Sequence, residues 1–308
     1  MGRIFRWYNQ NRRMFWIVLI TIIMIYGLIR TLDYAAGQAI KNGEYSAQEN
    51  YINVIKDKNY SVINGNTVNK TKANSISNTI DSFIKYCNEG NTEYAYNMLS
   101  KDCKNILYKT KEEFQKSYLN TFFKSKKTYS YKAWIIENDV TVYRVELQED
   151  ALYTGNLDSK KIEDFYTIIN EDGSYKLNIN RYIGHEDVNK EVQKDDLKIQ
   201  VLSKDIYLEN VIYNFKVINF SNNDIVLDTL KKPNTLSLVD SNGLNYQAAT
   251  WELIEQNLVV DKRNIKNFSI NFLKEYKPKY IEKEIVFNAV NLNYKNGEKL
   301  ISIAIKLQ

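Results

Sequence analysis

Histidine is almost missing from this chain: His185 is its single copy in 308 residues. One imidazole excludes an HExxH zinc site and any metal set built on two histidines. Cysteine is nearly as scarce. Cys87 and Cys103 fall on helix faces that pattern as core, which removes a cysteine–histidine nucleophile pair. The two lie at opposite ends of a helical hairpin, over ~10 Å apart, so free buried thiols are expected and not a bridge. Proline occurs only at 233 and 278. Neither a P-loop nor a dinucleotide-binding glycine fingerprint is present. Asp240-Ser241-Asn242-Gly243 starts like a calcium loop, but its twelfth position is Trp251 where a glutamate is required; a hairpin turn explains it. A concentrated patch of one charge is also lacking. The net charge of +5 is spread through interleaved Lys, Asp and Glu, so nothing argues for a nucleic-acid partner. No metal, cofactor or catalytic set is expected.

What the chain does have is an uncharged apolar run, Met14 to Ile29, extended by Thr31 and Leu32. At ~1.5 Å per residue, Met14–Ile29 spans roughly 24 Å, against ~30 Å of bilayer hydrocarbon, and Arg13 and Arg30 can reach outward from its ends. Trp7, Tyr8, Trp16 and Tyr26 suit the interfacial zones. Arg3, Arg6, Arg12 and Arg13 precede the run and no acidic residue appears before Asp33. The positive-inside rule then puts the N-terminus in the cytoplasm and the body outside. A single-pass anchor in the cell membrane is expected, with the lipid bilayer contacted through residues 14–32. A buried core helix fits less well, because the run is apolar all round. A cleaved signal peptide competes, with Ala35-Ala36-Gly37 as small residues for a peptidase, but Arg30 and Asp33 intervene. The abundance of Asn, Lys, Ile and Tyr matches an AT-rich, Gram-positive genome.

The organisation expected beyond the 1–13 tail and the 14–32 span has four parts. Residues 33–73 are polar and weakly patterned, a stalk. Order begins near Asn74, where Ile76, Ile80, Phe83, Ile84 and Cys87 share one helical face. A second helix starts at Thr92 and continues past Ser100. A third opens with the capping box Thr110-Lys111-Glu112-Glu113. The period then changes to two: strands are expected over 129–136, 143–148, 162–170 and 175–180, with a hairpin turn at Glu171-Asp172-Gly173. The charged stretch 185–196 reads as a connector carrying a solvated His185. From 197 to 308 the sequence is β-patterned, most clearly at Leu197–Val201, Tyr213–Val217, Phe268–Phe272 and Ile301–Leu307, with 250–260 as a short helix or crossing loop. About eight strands are expected there, in a β-sandwich.

The stretch Asn88-Glu-Gly-Asn-Thr-Glu-Tyr-Ala-Tyr-Asn-Met-Leu-Ser100, then Tyr108-Lys-Thr-Lys-Glu-Glu-Phe114, resembles the helical opening of nuclear transport factor two-like domains. The closing hairpin with Asp172-Gly-Ser-Tyr-Lys-Leu177 does so too. The resemblance covers about a third of the chain and implies an α+β fold over 74–184, a curved sheet wrapped around a helix as a cone. Residues 197–308 resemble the immunoglobulin-like modules of bacterial surface proteins, without the Cys…Trp…Cys signature. The layout of tail, span and cone is similar to the assembly-factor subunits of type IV secretion and conjugation systems, from which this chain departs by its C-terminal sandwich.

That resemblance implies a non-enzymatic, extracytoplasmic scaffold or adaptor subunit of an envelope complex. It would act by protein–protein contacts with other envelope proteins or copies of itself. Two alternatives carry distinct signatures. A binding protein would hold a small apolar ligand in a deep cone pocket. An isomerase-like enzyme, a chemistry known in this fold family, would place a desolvated carboxylate beside a tyrosine hydroxyl. Asp81, Tyr86, Tyr129 and Tyr143 are the residues that would supply that pair.

Overall fold

The computed structural model describes residues 62–63, 66–67, 70–137, 140–150, 161–232 and 235–308. The expected tail, span and most of the stalk lie outside these residues. No helix among the described residues is long and apolar enough to cross a membrane. Ahead of residue 74 the described backbone comprises an antiparallel ladder, β1 (Val62–Ile63) with β2 (Asn66–Thr67), and the first residues of helix α1 (Lys70–Asn88).

The rest of α1 buries Ile76, Ile80, Phe83, Ile84 and Cys87, the expected apolar stripe. Gly90, at φ +68, ends the helical path in the left-handed conformation that suits glycine. Helix α2 (Thr92–Asn97) and helix α3 (Lys101–Ile106) follow. The chain breaks between them because Ser100 caps α3, its Oγ accepting from the Cys103 N–H at 2.9 Å. Cys103 therefore lies within α3, and both thiols are free and buried. Helix α4 (Lys111–Phe114) starts on Thr110, whose Oγ accepts from the Glu113 N–H at 3.2 Å. It continues through a π-helical turn, Gln115–Leu119, into α5 (Asn120–Phe122).

Four strands then make an antiparallel meander: β3 (Lys127–Glu137), β4 (Val140–Glu149), β5 (Ile162–Glu171) and β6 (Ser174–Asn178). Its inner face carries Val145, Leu147, Tyr166, Ile168 and Leu177 onto the helices, forming one core. The alternation of Tyr143, Val145 and Leu147 with charged residues decides which face is buried.

The segment from Tyr182 to Lys194, expected in large part to be a connector, is a strand, β7. It pairs antiparallel along its length with β8 (Leu197–Tyr207). Its sequence hides this because its later residues are mostly exposed and charged; the ladder to β8 holds it, not apolar burial. Beyond β8 stand β9 (Val211–Asn219) and β14 (Ile265–Phe272), giving the order β7-β8-β9-β14. A second sheet centres on β15 (Glu282–Asn291). β16 (Leu300–Lys306) lies on one side of it, β10 (Ile225–Val226) and β11 (Leu236–Asp240) on the other. β12 (Asn245–Gln247) and β13 (Val259–Val260) sit outermost. The 250–260 stretch divides into a 3₁₀ turn (Thr250–Glu252), helix α6 (Glu255–Leu258) and β13. The two sheets enclose a second core, in which Phe215 meets Phe287 edge-on at 5.9 Å. The fold is α+β and mostly antiparallel.

Residues Asn74–Gln308 form one compact unit. Val142, Phe165 and Ile183 belong to the second core although Val142 and Phe165 sit on the first sheet. They lie on its outer face, so the first sheet is packed on both sides.

Candidate functional site

The residues expected to build a carboxylate–tyrosine pair are only partly brought together. Tyr129 donates to Asp81 Oδ1 at 2.9 Å, bridging β3 and α1 at the surface. Burial and then this bond push the Tyr129 phenol up to about 12. The pair lines a groove of about 720 Å³ shared with Lys85, Lys126 and Lys127. Tyr86 instead packs on Tyr94, with ring centres 5.3 Å apart. Tyr143 turns inward beside Tyr131, and burial pushes its phenol up to about 12.

The desolvated carboxylate of this half is Asp164, on β5, at 1 % exposure. Its Oδ2 accepts from the Tyr118 hydroxyl at 2.8 Å and from the Asn180 N–H at 3.2 Å. Oδ1 accepts from the Phe165 N–H at 2.7 Å. The Tyr166 hydroxyl lies 2.9 Å from that of Tyr118; since Tyr118 spends its one proton on Asp164, Tyr166 is the donor. Burial raises the Asp164 pKa to about 6, with the Tyr118 hydrogen bond and the two N–H groups pulling the other way. The same burial drives both phenols well above their ordinary value. Asp164 was not among the expected residues; its sharing of one face of β5 with Tyr166 and Ile168 is the signal that could have found it. Chemically the cluster can hold a proton near neutral pH. Tyr118 and Tyr166 are completely buried, so that proton is closed off from solutes.

His185 is not a solvated connector residue. It sits on β7 directly opposite Asp205 of β8, with Nδ1 2.7 Å from Oδ1. Asp205 Oδ2 accepts from Asn214 on β9 at 3.0 Å, and Ser269 on β14 donates to Asn214 Oδ1 at 2.6 Å. One polar chain thus crosses all four strands. Partial burial works against the imidazolium, but the bond and charge of Asp205 outweigh it, and the His185 pKa is raised. Asp240 is a turn residue: Oδ1 accepts from the N–H groups of Asn242 and Leu244, and Oδ2 from the Tyr246 hydroxyl. Gly243 follows at φ +80. Among the described residues no group of three His, Cys, Asp or Glu is arranged to hold a metal ion.

A second groove, of about 480 Å³, opens where the outer face of the first sheet meets the second core. Its floor depends on a β-bulge. Ala133 pairs with Tyr143 and Ile135 with Val142, leaving Trp134 as the extra residue. The bulge leaves Trp134 46 % exposed, edge-on to Phe165 at 5.7 Å. The Arg144 guanidinium stands over the indole at 5.8 Å while paired with Glu163. The opposite wall is Leu208, Glu209 and Glu275. Backbone bonds stitch that wall together: the Leu208 N–H donates to the Arg181 carbonyl at 2.9 Å, and the Tyr276 N–H to the Leu208 carbonyl at 2.8 Å. Nothing in the sequence alone marks this groove, because its lining comes from five separated segments.

Compared with known proteins, the chain matches no family model, no curated protein and no solved structure.

Proposed function

We propose that this protein is a membrane-anchored, extracytoplasmic scaffold subunit of a cell-envelope complex, of the kind that assembles conjugation or type IV secretion channels. In this reading residues 14–32 are the bilayer anchor, with the arginine-rich tail inside. The unit at 74–184 is a nuclear transport factor two-like cone, and 197–308 is an immunoglobulin-like sandwich that presents it. The protein's partners are other envelope proteins, alongside which further copies of the chain can assemble.

The observation that carries the reading is the filled interior of the first unit. Phe83, Phe114, Tyr118 and Tyr166 are all completely buried, and Phe83 meets the other three rings at 5.5–6.4 Å. Such packing occupies with the protein's own side chains the space that a ligand or substrate needs. It favours a body whose working surfaces are outside. The test is crosslinking in intact cells, purification through a C-terminal tag and mass spectrometry. Envelope-channel subunits that co-purify with the full chain and are lost on deletion of 74–184 are the expected result. Recovery of a lone protein carrying a bound small molecule in the first unit overturns it.

A further inference from the structure

We propose that strand β3 pairs edge-to-edge with β3 of a second copy of this chain, antiparallel and in one register centred on Tyr131. The proposal rests on the scaffold reading for the membrane that confines the copies, and on the strand for its chemistry. β3 is an edge of its sheet, bonded on one side to β4. The direction of its backbone groups follows from two neighbours. The Lys126 carbonyl accepts from the Asp150 N–H at 3.0 Å, so it points into the sheet. Lys127 points the other way: its N–H donates to Asn88 Oδ1 at 2.8 Å, and its carbonyl accepts from Asn88 Nδ2 at 2.9 Å. Alternation along a strand then turns the N–H and C=O of Tyr129, Tyr131 and Ala133 outward. Among the described residues those groups make no hydrogen bond. The opposite edge of the sheet is covered by main chain. There the Leu177 N–H of β6 donates to the Met98 carbonyl and the Ser100 N–H to the Leu177 carbonyl, both at 3.0 Å.

The free stretch is bounded at both ends. The Asn88 amide occupies Lys127, and the bulge at Trp134 breaks the strand beyond Ala133. A second β3 fits these rungs with a two-fold axis through the middle one: Tyr131 lies opposite Tyr131, and Tyr129 opposite Ala133 on either side. Each Tyr129 ring thereby meets a small residue. On the other face Ser130 stands opposite Lys132, so no like charges meet, although a lysine on an edge commonly blocks pairing. A foreign strand would be selected by side-chain pockets. The groove beside this edge is instead lined mostly by polar groups, among them Asp81, Lys85, Asn88 and Lys126. So short a ladder is a small contact, below the area of a stable soluble dimer. Copies anchored in one bilayer have a raised effective concentration, and there a weak self-contact is populated.

The test uses the full chain reconstituted in phosphatidylcholine vesicles, with donor or acceptor dyes at a C-terminal tag, read by energy transfer as the protein-to-lipid ratio rises. Saturable transfer is expected in the parent. Ser130 is exposed, and S130K puts like charges opposite Lys132 at both symmetric places. It should raise the midpoint by a few-fold to about tenfold. S130K/K132E restores opposite charges and should return the midpoint to that of the parent. Circular dichroism and melting temperature establish that the variants fold. A second readout needs no dye: S130C and K132C chains, mixed and mildly oxidised, should give a crosslinked heterodimer, with much less from either alone. Cys87 and Cys103 are buried and do not contribute. Transfer that never saturates, a midpoint unmoved by S130K or not recovered in S130K/K132E, or no heterodimer each overturns the proposal. So does an S130C crosslink to a foreign protein in cells when the mixed chains give no heterodimer. The two readings fail separately: envelope partners recovered with a chain that does not pair leave the scaffold standing and remove the pairing. Pairing by a chain that recovers no partner does the reverse.

Discussion

Asp164 is buried as an acid whose pKa is near 6, well above the ordinary carboxylate value of 3.8. Its sign follows from linkage. The folded state takes up a proton more readily than the unfolded one, so this contribution to stability is complete below 3.8 and is lost as pH rises through 6. A shift of this size corresponds to roughly 2–3 kcal/mol. In Asp164→Asn that pH dependence should vanish, so the stability gap between parent and variant narrows as pH rises from 4.5 to 7.5. Urea titrations at the two pH values measure the gap; a gap that widens with pH contradicts the assignment. His185 acts in the same direction. Its pKa is raised, so the stability it adds is present below 6.5 and lost as pH climbs through the folded value. As the single histidine, it gives an unambiguous proton NMR titration. The midpoint should lie above 6.5 in the parent and fall in Asp205→Asn; an unmoved midpoint would separate the two residues.

Among the elements, the turn between α2 and α3 is tied most densely to the sheet. Ser100 caps α3, donates its hydroxyl to Asn178, and its own N–H donates to the Leu177 carbonyl at 3.0 Å. Asn178 in turn donates to the Ile183 carbonyl at 2.7 Å. Ser100→Ala removes a cap and leaves a buried amide oxygen short of a donor, a loss of about 1–3 kcal/mol. A lower urea midpoint with an unchanged m-value is the expected reading; no shift would mean that Asn178 finds another donor. The Thr110 cap was visible in sequence because threonine and glutamate stand three apart before an aromatic stripe. The Ser100 cap was not, since the apolar pattern runs on through Cys103 and reads as one helix. Strand β7 escaped for a different reason. Apart from Tyr182 and Ile183 its side chains are not fully buried, and period-two patterning reports burial, not pairing. β15, the centre of its sheet, is blurred by a bulge between Phe287 and Val290 that puts its apolar residues out of phase. Of the candidate site, the Asp81–Tyr129 contact lay within reach of helical and strand periodicity. The groove at Trp134 did not, because a bulge and a turn from a distant segment make it.

At the scale of the molecule, two cores meet along one seam. Phe165 is carried by the first sheet, is 5 % exposed, and belongs to the core of the second half. Phe165→Ala should cost about 3–5 kcal/mol and loosen the coupling between the halves. Thermal melts followed by tryptophan fluorescence and by far-ultraviolet circular dichroism should coincide in the parent and separate in the variant. Coincident melts in both would place the coupling elsewhere, along β7.

A scaffold is defined by the company it keeps, so the central claim is tested most directly by the mass and composition of the native particle. The tagged full chain, extracted in mild detergent from growing cells, would be sized by light scattering and its components identified by mass spectrometry. A particle several times the 36.2 kDa of one chain, containing other envelope proteins in fixed ratio, is the expected result. A particle of this chain alone, monomeric or self-associated, would contradict the reading.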